Sequence, residues 1–159
     1  MCAERAVGGD PFAVLLADDF LTDYEPGVTA DLAQAFASNG KSQLSVMEVD
    51  GPDISKYGVV VTNGAGVGIA GLVEKPDASH APSNLAFIGR YVLTPDFFDT
   101  LRGLNAGSGG EIQLADAINI HAQQGLVETV RLNGRRFDCG SVDGFMQASS
   151  HEYRNRLVV

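Results

Sequence analysis

The fold of this chain is decided by an apolar run that ends in two carboxylates, FAVLLADD at positions 12–19. Such a run predicts a strand that is buried on both faces, as in parallel or mixed sheets with helices on their sides. Acidic residues at the carboxyl end of a strand lie where open α/β sheets bind ligands. Asp18 and Asp19 are therefore candidates to hold Mg²⁺ together with substrate phosphates. A solvated pair of loop aspartates would give the same pattern.

Outward from this strand, periodicity and turn residues predict the element order β-α-β-β-β-β-α-α-β-α. Helices are expected at 29–39, from Thr94-Pro95 onward with the threonine as N-cap, at 111–124 and at 142–154. Further extended segments are expected at 43–49, 57–62, 68–74, 84–93, 127–132 and 136–137. This order predicts one α/β domain, residues 1–159, with a mixed, mostly parallel sheet and flanking helices. The first strand needs neighbours on both edges, and these are hard to find in the sequence.

Composition limits the class of protein. The 159 residues are 45% hydrophobic and 19% charged, as in an ordinary globular domain, and the formal net charge is −9. That charge argues against nucleic acid or an anionic membrane as a partner. No apolar run reaches the roughly 20 residues that span a bilayer, and no signal peptide is seen. Two cysteines are too few for a disulfide scaffold, so we expect reduced thiols in the cytoplasm.

Two further segments contain side chains that suit ligand or metal binding. Glu74-Lys75 precedes a proline at the end of an apolar run, where the glutamate can accept hydrogen bonds from hydroxyls and the lysine can pair with a phosphate. Asp138, in FDCG at 137–140, also follows an extended segment. It can complete a metal site with Asp18, or it can cap the helix that starts near Val142.

Other features carry less. The glycines of GAGVG at 64–68 resemble a dinucleotide fingerprint, but no helix pattern follows, so we expect a hairpin tip. GSGG at 107–110 precedes a predicted helix and suits either an anion site or a structural loop. The histidines at 80, 121 and 151 lack partners at ligand spacing, so we expect surface or core roles.

Seven segments in order resemble the bacterial UTP–glucose-1-phosphate uridylyltransferases (UDP-glucose pyrophosphorylases). They are LADD at 16–19, SKYGVV at 55–60, VEKP at 73–76, APSNLA at 81–86, IGRYVL at 88–93, GGEIQL-x-DA at 109–117 and FDCG at 137–140. The resemblance runs from about Cys2 to about Arg154. It implies a Rossmann-like nucleotidyltransferase fold and the joining of glucose 1-phosphate to UTP, with Mg²⁺, to give UDP-glucose and pyrophosphate.

The resemblance also implies roles for individual residues. Asp18 and Asp138 match the family's metal-binding aspartates, and Gly58 matches a glycine whose backbone N–H contacts a sugar hydroxyl. Glu74 matches the acceptor for sugar hydroxyls and Lys75 the lysine that binds the sugar phosphate. Tyr91 falls near the same pocket. With Lys75, the two aspartates would serve catalysis by positioning and charge neutralisation.

The chain departs from the family at its start, because the family's Gly-x-Gly-Thr-Arg nucleotide loop is absent. We therefore expect a truncated form, a partial domain that holds the sugar-phosphate half and is inactive alone. One alternative is a non-catalytic sugar-phosphate-binding or assembly module, which would pair with another chain or self-associate through a sheet edge; we expect a homo-oligomer. Another is a sugar-1-phosphate nucleotidyltransferase of different base specificity.

Overall fold

The computed structural model of the chain describes residues 2–64, 66–106 and 110–157. The helices are α1 Glu4–Val7, α2 Val28–Asn39, α3 Phe97–Gly103, α4 Leu114–Gln123 and α5 Val142–Arg156. The strands are β1 Phe12–Leu15, β2 Asp19–Thr22, β3 Ser42–Glu48, β4 Gly58–Thr62, β5 Ile69–Glu74, β6 Leu85–Leu93, β7 Val127–Arg131 and β8 Arg135–Asp138. Short 3-10 helices lie at Gly51–Lys56 and Ala78–His80.

The strands form two sheets. The larger has the order β5-β4-β6-β3-β7, with β1 also paired to β6, and the smaller consists of β2 and β8. In the larger sheet β3 and β7 run parallel, whereas the pairs β1–β6, β3–β6, β4–β5 and β4–β6 are antiparallel. The mixed α/β fold with flanking helices is confirmed, and parallel pairing is less common in it than we expect from the sequence.

Helices cover both faces of the larger sheet. Side chains of a strand alternate between its faces, so neighbouring residues of β6 pack against different helices. Val92 of β6 packs with Val28 and Leu32 of α2, while its neighbours Tyr91 and Leu93 belong to the core on the other face. That second core includes Phe97 of α3 and residues of α4. The three layers are thus helix, sheet and helix, as the sequence predicts.

One edge of β6 is divided between two strands, and this division positions the site. Along its other edge β6 pairs with β3 from Leu85 to Val92. On the divided edge, β4 pairs at Ala86 and β1 pairs from Arg90 to Leu93. The amide of Leu16 donates to the carbonyl of Gly89 at 2.9 Å, where β1 ends. The chain then turns away from the sheet through Asp18 into β2.

The expected burial of the first strand on both faces is wrong. Burial alternates along β1: Phe12 and Val14 are half-buried, whereas Ala13 and Leu15 are exposed. Phe12 stacks on Phe98 of α3, with ring centroids 5.0 Å apart, so one face of the strand packs on the core. Leu15, on the other face, is 56% exposed, because no element among residues 2–64, 66–106 and 110–157 covers that face.

Two predicted helix starts are also wrong. The helix predicted at 111–124 is α4, which begins at Leu114, because Gln113 has an extended backbone with φ −89° and ψ 130°. The helix predicted from Thr94-Pro95 onward is α3, which begins at Phe97 after Asp96, so Thr94 is not its N-cap.

β2 and the 3-10 helix at Gly51–Lys56 were not expected from the sequence. The predicted glycine loop at 107–110 lies outside the described residues except for Gly110, as does Ala65 of the predicted hairpin tip. None of the helices in the described ranges is both long and apolar enough to cross a membrane.

Candidate functional site

Asp18 and Asp138 are brought together at the ends of β1 and β8. Strands β2 and β8 pair in a register that sets Asp19 opposite Asp138, and the amide of Cys139 donates to the carbonyl of Asp18 at 2.7 Å. Asp138 Oδ1 and Asp18 Oδ2 lie 3.1 and 3.2 Å from the position that a Cβ on Gly140 would take. Both carboxylates are exposed. Two exposed carboxylates around one small space can share a hard divalent cation.

Asp138 does not cap the last helix. That role belongs to Ser141, whose hydroxyl accepts the amide of Gly144 at 3.1 Å and donates to the carbonyl of Asp138. Asp138 Oδ1 accepts the amide of Gly140 at 3.1 Å, which leaves Oδ2 with no protein partner among the described residues. The Asp138 carboxylate is therefore held in position with one oxygen available to a ligand.

Asp19, next to Asp18, is buried and fully engaged. Its Oδ2 accepts the amide of Gly89 at 2.6 Å, and its Oδ1 accepts Nε and pairs with Nη2 of Arg136. Burial disfavours the charge of Arg136, but the hydrogen bond and the charge of Asp19 outweigh burial and raise the pKa of Arg136. The Arg136 guanidinium also lies over the ring of Tyr57, 5.2 Å from its centroid. Asp19 thus fixes the turn that presents Asp18.

Glu74 ends β5 beside Gly58, and Lys75 is the next residue in the chain. Gly58 is the register partner of Glu74, and a Cβ on it would lie 2.3 Å from Phe87 and 2.9 Å from Glu74 Oε2. Only glycine fits there. Lys75 adopts φ +45°, which turns the chain out of the strand, and its amide donates to the carbonyl of Tyr57 at 3.0 Å. Lys75 Nζ and Glu74 Oε1 form a long salt bridge of 3.8 Å, and the two side chains are 66% and 58% exposed, so a ligand can reach both charged groups.

A cleft of about 580 Å³ opens between β6 and α4. We call it the Glu74 cleft. Its lining residues are Leu16, Glu74, Phe87, Tyr91, Gln113, Leu114, Ala115 and Asp116. Burial, followed by the charges of Asp19 and Glu74, raises the pKa of the Tyr91 hydroxyl above its ordinary value. The cleft combines an apolar floor with polar groups at its rim, as small-molecule sites do.

Of the six predicted site residues, Glu74 and Tyr91 line this cleft. Gly58 lies directly behind Glu74, and Lys75 follows Glu74 in the chain. Asp18 and Asp138 form a separate pair, which the turn from Leu16 to Asp19 connects to the cleft. The charges of Asp18, Asp19 and Glu74 all act on Tyr91. The candidate site therefore consists of a carboxylate pair and a cleft with polar groups at its rim, both at the divided edge of β6.

Sequence reasoning missed Arg136, Gln113 and Asp116. Alternation along a strand could have indicated Arg136, because it lies two residues before Asp138 and so shares a face of β8 with it. Gln113 and Asp116 lie within GGEIQL-x-DA at 109–117, a segment that the resemblance included without giving either residue a role.

The donor set at Asp18 and Asp138 suits Mg²⁺, which prefers carboxylate oxygens and keeps several other positions for water and phosphate. Within the described ranges, no group of three or more His, Cys, Asp and Glu side chains could hold a metal ion. A metal here would thus take the remainder of its ligands from substrate and solvent, as Mg²⁺ does in nucleotide enzymes.

Comparison with known proteins shows the family of this chain. A family model described as nucleotidyl transferase matches residues 1–155. A UTP–glucose-1-phosphate uridylyltransferase of Pseudomonas aeruginosa is 40% identical over 153 residues, covering 94% of this chain and 55% of the relative. The Escherichia coli K12 protein of the same name is 40% identical over 158 residues, covering 93% of this chain and 52% of the relative.

Solved structures give the same result. An apo UDP-glucose pyrophosphorylase superposes with a TM-score of 0.90 at 39% identity, covering 97% of this chain and 58% of its own. A UTP-bound enzyme from Acinetobacter baumannii gives a TM-score of 0.83 at 35% identity, covering 95% and 53%. The chain spans about half the length of the curated relatives that it matches.

Proposed function

This chain belongs to the nucleotidyl transferase family, and on that premise we propose that it carries the sugar-phosphate half of a UTP–glucose-1-phosphate uridylyltransferase. The observation that carries the proposal is that Asp18, which lies beside Asp138, follows in the same turn as Leu16, a lining residue of the Glu74 cleft. A solved relative is complexed with UDP-glucose and another is bound to UTP, which supports a nucleotide sugar as the product.

In this proposal Glu74 accepts hydrogen bonds from glucose hydroxyls and Lys75 pairs with the phosphate. Gly58 keeps the strand close to the sugar, because any side chain at that position would meet Phe87. The protonated hydroxyl of Tyr91 can donate or accept a hydrogen bond within the cleft. The charged atoms of Glu74 and Lys75, which lie 3.8 Å apart, then contact neighbouring groups of one small ligand.

Asp18 and Asp138 would hold Mg²⁺, which neutralises phosphate charge when bound. In the overall reaction a phosphate oxygen of glucose 1-phosphate bonds to the α-phosphorus of UTP, and the bond from that phosphorus to the β-phosphate oxygen breaks. Pyrophosphate leaves. The residues of this chain contribute by orienting the sugar phosphate and by placing cationic groups near it.

We propose that the 159-residue chain is a single partial domain without appreciable turnover of its own. We also propose a cytoplasmic location, since Cys2 and Cys139 are free thiols that suit a reducing compartment. A coupled assay for pyrophosphate release from UTP and glucose 1-phosphate tests the first point. Turnover by the purified chain at rates near those of full-length relatives would contradict it.

Binding of the sugar phosphate is tested separately by calorimetry. We expect glucose 1-phosphate to bind the purified chain saturably, and free glucose to bind far more weakly because Lys75 has no phosphate to pair with. Equal affinities for the two ligands would contradict the role of Lys75, and no binding of either would contradict the proposed function.

A second candidate function is an assembly module, and the exposed edge of β1 favours it. Within the described ranges β1 pairs only with β6, and Leu15 and Leu16 beside that edge are 56% and 44% exposed. An open strand edge with apolar neighbours is a template for pairing with another chain. Light scattering of the purified chain across a concentration series tests this candidate. A homo-oligomer is expected, and a strict monomer would contradict self-association.

A further inference from the structure

The wall of the Glu74 cleft that the start of α4 forms carries two polar side chains that the proposed function does not use. Gln113 immediately precedes α4 and Asp116 lies in its first turn, and both line the cleft together with Leu114 and Ala115. Both residues are exposed. Neither side chain has a hydrogen-bond partner in the described part of the chain. They are therefore available to a ligand.

The start of α4 is held in a fixed relation to Glu74. The amide of Leu72 in β5 donates to Asn119 Oδ1 of α4 at 2.5 Å. Gly71 makes room for this contact, because a Cβ there would lie 2.9 Å from the same oxygen. Leu72 is two residues before Glu74 in the same strand. The bond therefore ties α4 to the strand that ends at Glu74.

The two side chains have complementary hydrogen-bonding properties. The Asp116 carboxylate only accepts hydrogen bonds, whereas the Gln113 amide both donates and accepts. A sugar hydroxyl does both, and its direction depends on the configuration of the ring carbon. A carboxylate and an amide on one rigid wall can therefore distinguish an equatorial from an axial hydroxyl, because the wrong epimer leaves a polar group unpaired.

We propose that Gln113 and Asp116 determine the hexose specificity of the cleft by contacting sugar hydroxyls on the side of the ring away from Glu74. This inference rests on the proposed function, since it needs a hexose 1-phosphate in the cleft. It assigns to Glu74 and Lys75 the capture of the sugar phosphate and to the start of α4 the choice between epimers.

Calorimetric titration of the full 159-residue chain with glucose 1-phosphate and with its C4 epimer, galactose 1-phosphate, tests the proposal. We expect the wild-type chain to prefer glucose 1-phosphate. Asp116→Ala and Gln113→Ala should each lower the affinity for glucose 1-phosphate by roughly tenfold, which is the effect of losing one hydrogen bond to a charged or strongly polar group. Binding of the epimer should change much less, so the ratio of the two affinities should fall towards one.

Two matched controls separate specificity from folding. Asp31→Ala removes an aspartate from the first turn of α2, and Gln123→Ala removes a glutamine from the far end of α4. Both should keep the wild-type affinity ratio, and all four variants should keep the wild-type circular dichroism spectrum. An unchanged ratio in both Gln113→Ala and Asp116→Ala would overturn the inference alone. Absence of binding of either sugar phosphate to the wild-type chain would overturn the proposed function and this inference with it.

Discussion

Asp19 and Arg136 form a buried ion pair that joins the strand leading from Asp18 to the strand leading to Asp138. Their side chains are 4% and 12% exposed. Breaking a buried pair by removing one partner leaves an unpaired charge and costs about 3–5 kcal/mol. We expect Asp19→Asn and Arg136→Met each to lower the free energy of unfolding by about that amount. Urea denaturation measures the change.

The double variant is the sharper test of this pair. With both charges removed, neither is left unpaired, so the double variant should lose much less stability than the sum of the two single losses. The exposed pair of Arg131 and Glu48, 65% and 53% exposed, supplies the control. Arg131→Met should change stability by less than about 1 kcal/mol. Additive losses at Asp19 and Arg136 would show that the two residues act independently.

The carboxylates of Asp18 and Asp138 should bind a divalent cation without supporting the fold. Asp18→Asn and Asp138→Asn should each lower the affinity for Mn²⁺ by more than about tenfold, because even changes to residues that only support metal ligands cost that much. Electron paramagnetic resonance measures Mn²⁺ binding. Removing one of two neighbouring like charges should leave stability unchanged or slightly higher. Asp10→Asn, at the opposite end of β1, is the control and should bind Mn²⁺ as the wild type does. Equal Mn²⁺ affinity in all three variants would argue against a metal at this pair.

Gly58 should be intolerant of even one methyl group. A Cβ there would lie 2.3 and 2.6 Å from two ring atoms of Phe87, so Phe87 would have to move. We expect Gly58→Ala to cost about 1–3 kcal/mol, the usual cost of overpacking, and to displace the Glu74 wall of the cleft. Gly103→Ala, at the end of α3 with open space around it, should be neutral or slightly stabilising. Thermal denaturation compares the two, and equal melting temperatures would contradict the close packing at Gly58.

His121 should make the fold sensitive to mild acid. It is buried, stacks on Phe97 at 3.9 Å and shares a 2.7 Å hydrogen bond with Thr100 through Nε2. Burial lowers the pKa of His121, and the charge of Asp96 only partly opposes this. The unfolded chain then binds more protons than the folded chain just below pH 6.5, the ordinary imidazole value, so stability is full above that pH and falls as the pH drops below it.

Urea denaturation between pH 8 and pH 5 measures this dependence. The variant His121→Gln should be less stable at every pH, because the stacking on Phe97 is lost, and its stability should depend less on pH in this range. His80→Gln, at an exposed position, should keep the wild-type pH dependence. An unchanged pH profile in His121→Gln would show that another group is responsible.

The sequence predicted the elements with strong periodicity, but it did not predict what covers them. The run at 12–16 is apolar throughout, which expresses a preference for burial, yet Leu15 is exposed because only one face of β1 meets the core. Strand β2 escaped prediction because it is four residues long and begins with a charged residue. Its partner, β8, is more than a hundred residues away in the chain, and such pairing leaves no local pattern.

The candidate site was predictable to a different extent in its two parts. From its position after an extended segment, Asp138 could either pair with Asp18 or cap the last helix, and the resemblance implied the pair. The structure brings both aspartates beside Gly140. Arg136 was not predictable as the partner of Asp19, since a buried ion pair between distant residues has no signature in spacing. Gln113 and Asp116 lie within a segment that the resemblance included, but it gave them no role, and only the packing of α4 on β5 shows that they line the cleft.

The most direct test of the central claim is a calorimetric titration of glucose 1-phosphate into the wild-type chain and into Lys75→Met, with Lys41→Met as the control. We predict saturable binding to the wild type and to Lys41→Met, and binding to Lys75→Met that is weaker by roughly tenfold or more, because a charged contact to the phosphate is lost. Equal affinity in all three proteins, or no binding to the wild type at millimolar ligand, would contradict the assignment of this chain as the sugar-phosphate half of the enzyme.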